Sequence, residues 1–522
     1  MILSIQARPS KATRVAAGLA LLAALAACGG AGTSVPTQPT GTGDHAYVDT
    51  VAYSTAANAS LASADEHAAV THHQVSLGGQ ALAYVATAGH LTVADAASGA
   101  PQASIFYVAY TTGADAATRP VTFVLSGGPG DDQGGLHIGS YAPRRVLTNV
   151  PSADEPASPT LVDNPETLLD KTDLVFLDEV GTGWSEAIAP NTNLGLRGVD
   201  PDVAIYRGFI TRWLATNQRI ASPTFLLGHS YGTVRAAMLA NQLPPAGVNL
   251  RGVVLESAVL DFNHNCDVYA ALQVAGSCAA SLPTFAAIAA YHGRAVPAPP
   301  DLPSFLQAAR DFDDTRYAPA LAAWLGTQAA PDAALTAQLA ADTGIAADTW
   351  AGDLALTNTD FRTLFMPGKL LGRTDARVVA AAGSTLPQDD PAGTMLAGAF
   401  SGAFENYVRG ELGYTSASAY GGILIDFTNW PATHAGQDVP DFIPDLAAAI
   451  ARDPRLPVLA LAGDYDLATP FHQAELDLAR LGVNPNIQIR HYAAGHDIYL
   501  DNQARPLVKA DLAAFYDHAA AP

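Results

Sequence analysis

Gly228-His229-Ser230-Tyr231-Gly232 is the stretch of the chain best equipped for chemistry. A serine hydroxyl is a weak nucleophile at neutral pH, so a reactive serine needs a base within hydrogen-bond reach. It also has to be lifted clear of its own backbone. Glycines two residues before and two after Ser230 permit a turn too tight for side chains. Thr224-Phe225-Leu226-Leu227 ahead of it is apolar and strand-like. Thr233 to Leu243 behind it is helix-like and is closed by Pro244-Pro245. A strand, a glycine-flanked serine and a helix make a nucleophile elbow. Such a turn raises the hydroxyl above the carboxyl edge of a sheet and aims a helix N-terminus at it.

The best base is His496. It follows a strand-like stretch, Ile487 to Tyr492, sits behind Gly495 and precedes an amphipathic helix, Pro506 to His518. His491 lies within that strand and reads as structural. His229 adjoins the nucleophile, but an elbow points that position elsewhere. The acid is Asp466 or Asp464, both just beyond the apolar strand Leu456 to Ala462. Its task is to hold the imidazole tautomer and to stabilise the imidazolium. A carboxylate a few residues past the strand reaches over the sheet edge better, which favours Asp466. Strand Pro120 to Leu125 runs into Ser126-Gly127-Gly128-Pro129-Gly130, whose glycines free backbone N–H groups to face a ligand. Gly128 and Tyr231 are the expected oxyanion donors. A second glycine-rich exit loop, Glu179 to Ser185, follows strand Asp173 to Asp178, and its Trp184 is expected to shape the substrate pockets. No metal or organic cofactor is expected. Asp131-Asp132 and Asp389-Asp390 read as solvated loop charges, since no calcium-loop spacing surrounds them.

Positioning these groups takes a sheet whose strand ends share one edge. Strand and helix patterns alternate, with glycines at the strand exits. That predicts an α/β fold with a doubly wound, mostly parallel sheet. The order serine, acid, histidine is that of the α/β-hydrolase fold. Val75 to Val85 forms two strands about Gly78-Gly79, and Leu91 to Val93 and Ala103 to Tyr110 continue an antiparallel start. Pro201 to Asn217 has helical spacing, and Leu250 to Leu255 is a further buried strand. Between about Asn263 and Tyr420 the pattern changes to Ala-rich amphipathic segments with many prolines. This predicts a helical cap insertion at 263–420, between core parts at 71–262 and 421–522. A cap would shape the pocket and exclude water.

The chain has 522 residues, 49% hydrophobic and 15% charged, which supports a sizeable core. A net charge of −22 argues against nucleic acid as a partner. Arg8, Lys11 and Arg14 precede an apolar run, Val15 to Ala27, of signal-peptide type. Leu25-Ala26-Ala27-Cys28 looks like a bacterial lipobox, which implies cleavage after residue 27 and a lipid on Cys28. Residues 1–27 are thus a signal peptide, and 28–70, rich in small polar residues, a flexible linker. The protein is expected to be exported, periplasmic or anchored to the outer membrane, with the lipid as its only membrane contact. Cys266 and Cys278 are then placed to form a disulfide.

Together, Ser126 to Gly130, Asp178 with Val180 to Ser185, Gly228 to Gly232, Gly463 to Asp466 and Gly495-His496 resemble the serine carboxypeptidase family in order and spacing. The surrounding phrases LVDNPETLLDKTDLVFLD, DLATP and AAGHDIYL look like its bacterial branch. The likeness spans roughly Val75 to Tyr516. It implies hydrolysis of C-terminal peptide bonds through an acyl-enzyme, often best at acid pH. It assigns the nucleophile to Ser230, the acid to Asp466, the base to His496 and the oxyanion donors to Gly128 and Tyr231. It also places Ser126, Gly127 and His229 against the substrate's terminal carboxylate. Two of these depart from the pattern. Ser126 stands where the family usually has Asn, and His229 where it has Glu. A histidine would grip a carboxylate as imidazolium and release it above its pKa, ~6.5 when unperturbed. The competing readings are a serine esterase or acyl hydrolase on the same scaffold and, least favoured, a catalytically silent binding lipoprotein.

Overall fold

Nine strands carry the topology that matters for the site. The computed structural model describes residues 43–113, 118–152, 155–266, 277–383, 390–400, 402–423 and 429–519. Cys28, the signal segment, the first part of the expected linker and Asp389 lie outside them. The strands are β1 (Ala68–Leu77), β2 (Gln80–Ala94), β3 (Pro101–Thr111), β4 (Val121–Leu125), β5 (Asp173–Leu177), β6 (Thr224–His229), β7 (Leu250–Glu256), β8 (Val458–Gly463) and β9 (Ile487–Tyr492). They join in the order β9-β8-β7-β6-β4-β5-β3-β2-β1. From β9 to β5 every pairing is parallel; β3, β2 and β1 complete the sheet antiparallel. The stretch Leu91 to Val93 is the end of the long strand β2 rather than a strand of its own.

The parallel strands β4, β5 and β6 are buried at every residue. Both faces are covered, which is why they read as unbroken apolar runs. On one face Phe123, Leu226 and Val253 meet Phe209 and Trp213 of helix Val199–Thr216, Met238 of helix Gly232–Gln242 and Leu446 of helix Ile443–Arg452. On the other, Val124, Phe176 and Phe225 meet Leu512 and Tyr516 of helix Ala504–Ala519. This is the α/β-hydrolase arrangement, a doubly wound sheet between helical layers. Among the described residues no helix is long and apolar enough to cross a membrane.

Two boundaries differ from those read in the sequence. The linker does not extend to residue 70. Tyr47–Asp49 pairs in parallel with Tyr414–Ser416, the Asp49 carboxylate accepts from the Tyr53 and Tyr414 hydroxyls, and Leu61 bridges to Ile188. The partners are far away in the chain, so local composition carried no sign of them. The helical insertion is also shorter than 263–420. Helices Leu282–Tyr291, Leu302–Phe312, Ala318–Thr327 and Ala333–Thr343 gather around Phe285, Leu321, Leu339, Trp350 and Phe361, and seat on Leu467 and Phe471 of the core. Helices Pro391–Phe400 and Ala403–Gly410 instead bury Ala399, Phe404 and Tyr407 on the sheet. An amphipathic helix has the same periodicity whichever apolar partner it meets.

Candidate active site

The elbow at the end of β6 forces Ser230 into a left-handed conformation, φ 55°. A Cβ built on Gly228 would lie 2.1 Å from the Gly232 carbonyl oxygen, and one on Gly232 2.2 Å from that of Leu125. The two flanking glycines are therefore steric necessities. Ser230 N–H donates to the Glu256 carbonyl at the end of β7, 2.9 Å away. Tyr231 is the N-cap of helix Gly232–Gln242, where backbone N–H groups have no partner within the helix. Gly127 abuts Ser230: a Cβ there would stand 2.9 Å from the Ser230 Cβ and 3.4 Å from its Oγ. The loop expected to supply the other oxyanion donor, Gly128, thus runs beside Ser230.

Asp466, not Asp464, meets the histidine. His496 Nδ1 lies 2.7 Å from Asp466 Oδ2. Asp466 Oδ1 accepts the N–H groups of Ala468 and Thr469 at 2.7 and 2.9 Å. Thr469 Oγ donates to Asp466 Oδ2 at 2.6 Å and lies 3.2 Å from His496 Nδ1. Asp464 turns away and lies 3.5 Å from His491 Nδ1. The His496 carbonyl accepts from Ser257 Oγ at 2.6 Å, while its N–H donates to Thr374 O at 2.5 Å. Both the ring and the backbone of the histidine are therefore fixed. Burial pulls the imidazolium pKa down, but the charge and hydrogen bond of Asp466 outweigh it, and the net shift is upward from 6.5.

His229 is buried against this pair. Its ring packs edge-on to His496 at 4.8 Å and to Tyr499 at 5.2 Å. Its Nε2 lies 3.3 Å from the His496 carbonyl and 3.4 Å from Asp497 Oδ1. Burial, reinforced by the charge of His496, lowers it to about 4. An imidazolium at this position that titrates near 6.5 is therefore not what the fold provides.

A cavity of about 560 Å³ opens beside Ser126, Gly127 and His229. Asp131, Asp132 and Asp497 line it, with Leu396, Phe400 and Tyr499 as its apolar wall. The aspartates 131 and 132 were expected to be solvated loop charges; the turn of the glycine loop folds them into the site. Burial, then repulsion from Asp132 and Asp497, raises Asp131 to about 6. Burial also raises Asp132. Behind the cavity, Glu256 is fully buried, accepts from Tyr141 OH at 2.8 Å and is raised by burial to about 8. Among the described residues no lysine or arginine lines the cavity.

Trp184 does not reach it. The indole is 1% exposed, packs on Phe106, Tyr414 and Tyr420, and donates to the Ser418 carbonyl at 3.0 Å. Its loop curls back under the sheet's antiparallel end, so this is a core residue. Cys266 and Cys278 are joined as a disulfide.

One residue escaped notice in the sequence. Arg235, within the elbow helix, is fully buried. It donates to the Ser126 carbonyl at 2.6 Å and to Asp202 at 2.6 Å, and it pairs with Glu179. Glu179 in turn accepts the Gly130 N–H at 3.0 Å. Tyr206 and Tyr231 cover its guanidinium at 4.6 and 4.8 Å. The helix that follows Ser230 thus holds both ends of the glycine loop. An arginine five residues past a nucleophile, in an otherwise apolar helix face, was the available signal.

Residues 78–283 match the serine carboxypeptidase family. This part contains the glycine loop and the elbow. No curated protein matches the chain. Solved structures similar to it include a carboxyl esterase from Bacillus coagulans, at 14% identity over 83% of this chain and 98% of that one, TM-score 0.32. Others are a monoglyceride lipase from Saccharomyces cerevisiae, at 11% over 83% and 96%, TM-score 0.34, and an epoxide hydrolase from Aspergillus niger, at 13% over 83% and 78%, TM-score 0.34.

Proposed function

We propose that the chain is an exported serine hydrolase of carboxypeptidase type, which releases C-terminal residues from peptides through an acyl-enzyme. The observation that carries this is the family match over the glycine loop and elbow, on a sheet whose second half brings Asp466 to His496. With Nδ1 committed to Asp466, His496 Nε2 takes the Ser230 proton as the hydroxyl attacks the carbonyl. It then returns that proton to the leaving amine. The N–H groups of Gly128 and Tyr231 hold the tetrahedral oxyanion. Water repeats the sequence on the acyl-enzyme. The basic residues, apolar run and Cys28 at the N-terminus support export with a lipid on that cysteine.

The cavity lining favours a second reading, a serine esterase. A peptide's terminal carboxylate would enter a cavity lined by three aspartates, beside a histidine kept neutral above about pH 4. It would be held only where Asp131 is protonated and donates a hydrogen bond, and that hold is lost as pH rises through about 6. Proton abstraction needs neutral His496, so it grows as pH rises through a value above 6.5. The two demands overlap narrowly.

An N-blocked dipeptide, its C-terminal amide and an aryl ester, offered across pH 4 to 8, separate the readings. Carboxypeptidase action gives a narrow bell on the free acid and little turnover of the amide. Ester turnover rising to a plateau, with no peptide cleaved at any pH, would sink it in favour of the esterase. Failure of a fluorophosphonate to label Ser230 would refute both.

A further inference from the structure

A second cluster of ionisable groups lies away from Ser230, where the helical insertion meets the core. Helix Leu302–Phe312 passes into a π-turn, Asp313–Tyr317, before helix Ala318–Thr327. The wide turn directs consecutive carboxylates, Asp313 and Asp314, at His472 of helix Phe471–Ala479. Such turns are uncommon and recur at functional sites. Asp313 is 1% exposed, and among the described residues neither of its carboxylate oxygens has a hydrogen-bond partner. A buried carboxylate left so is costly unless a cation faces it.

His472 Nε2 lies 3.3 Å from Asp314 Oδ1 and 3.7 Å from Asp313 Oδ2. One ligand atom from each of the three residues falls within 4.8 Å of the others. Ligands ~2.1 Å from a tetrahedral ion stand ~3.4 Å apart. The other ring nitrogen, Nδ1, is bound to Glu475 Oε2 at 2.6 Å. Arg310 grips Glu475 with two hydrogen bonds, at 2.7 and 2.8 Å, and His491 Nε2 stands 2.9 Å from it. An imidazole with a carboxylate behind one nitrogen and oxygen ligands before the other is the usual support of a metal-bound histidine. A similar triad, Asp261, His264 and Asp477, differs in that Arg480 already neutralises it, 2.7 Å from Asp261.

We propose that Asp313, Asp314 and His472 bind a divalent transition-metal cation, Zn²⁺ or Mn²⁺, which clips the helical insertion to the core. Two carboxylates and one imidazole suit such ions, and water fills the remaining positions. The role is structural and does not depend on which substrate Ser230 serves.

The test uses the full chain, stripped with EDTA and titrated with ZnCl₂ or MnCl₂ by calorimetry, with metal content and thermal unfolding read in parallel. One equivalent of Zn²⁺ or Mn²⁺ binds and raises the Tm. Asp313→Asn and His472→Gln abolish binding. Asp314→Asn, at the solvent-facing edge of the site, folds normally and binds at least ~10-fold more weakly. Glu475→Gln weakens binding ~10–100-fold. The proposal is overturned if the wild-type chain binds neither ion at millimolar concentration. It is equally overturned if binding survives Asp314→Asn and His472→Gln unchanged, or if Asp261→Asn removes it.

Discussion

The structure pairs His496 with Asp466, the carboxylate the sequence favoured, and leaves the alternative, Asp464, beside His491. Asp466→Asn keeps the shape but favours the wrong imidazole tautomer, and kcat on an aryl ester is expected to fall ~10⁴-fold, as in other serine triads. Asp464→Asn, which touches His491 instead, is expected to cost less than ~10-fold in the same assay. Equal losses in the two variants would mean that the acid has been misassigned. Reach past the strand already favoured Asp466 in the sequence, although both follow the same strand. What decides it is Thr469, whose N–H and hydroxyl turn Asp466 inward. The turns that carry Ser230 and His496, by contrast, were legible in the sequence, because glycine spacing around them encodes the backbone turn itself. Trp184 and Asp131 were misread for the opposite reason. Where a side chain beyond a glycine loop points depends on how the loop closes, and glycines encode only that it can.

At the scale of elements, the elbow helix, the glycine loop and β5's exit form one charged unit. Arg235→Met leaves Asp202 and Glu179 buried without their cation. It should lower unfolding free energy by about 3–5 kcal/mol in urea titrations. Adding Asp202→Asn and Glu179→Gln should recover most of that loss. If the single variant is as stable as the wild type, Arg235 is not the keystone of that unit. The end of β7 offers a pH-dependent counterpart. Burial pushes the Glu256 carboxyl up from its ordinary 4.5 to about 8. The fold therefore favours its protonated form, and stability falls as pH rises from about 4.5 towards 8. Glu256→Gln mimics that neutral form. Urea midpoints should coincide at pH 4.5, while at pH 8 the variant should be more stable by roughly 2 kcal/mol or more. The strands themselves were legible because both faces of β4 to β6 are buried. The limits of the helical insertion were not, since its helices and those at 391–410 share one pattern and differ only in what they cover.

For the molecule as a whole, charge sets how substrates arrive. A net charge of −22 and an aspartate-lined cavity repel an anionic peptide at low ionic strength. Raising salt from ~0.01 to ~0.15 M should increase kcat/KM on a free-acid dipeptide severalfold and leave that of a neutral aryl ester flat. Identical salt responses would place the anionic group of the peptide outside the cavity. Net charge and its sign were readable from composition, but their concentration beside Ser126 and His229 depended on the fold of two loops.

Arg235 also bears on how this architecture can be altered. Its guanidinium joins the Ser126 carbonyl, Asp202 and Glu179, which come from three separate stretches of chain. The glycine loop and the helix after Ser230 are thus a single structural part. A glycine loop transplanted from another hydrolase would arrive without the helix that holds it, and one from this chain would not keep its shape elsewhere. Recombination that respects the unit must carry everything from Pro120 to Leu243, and must also match the His496 carbonyl that His229 meets.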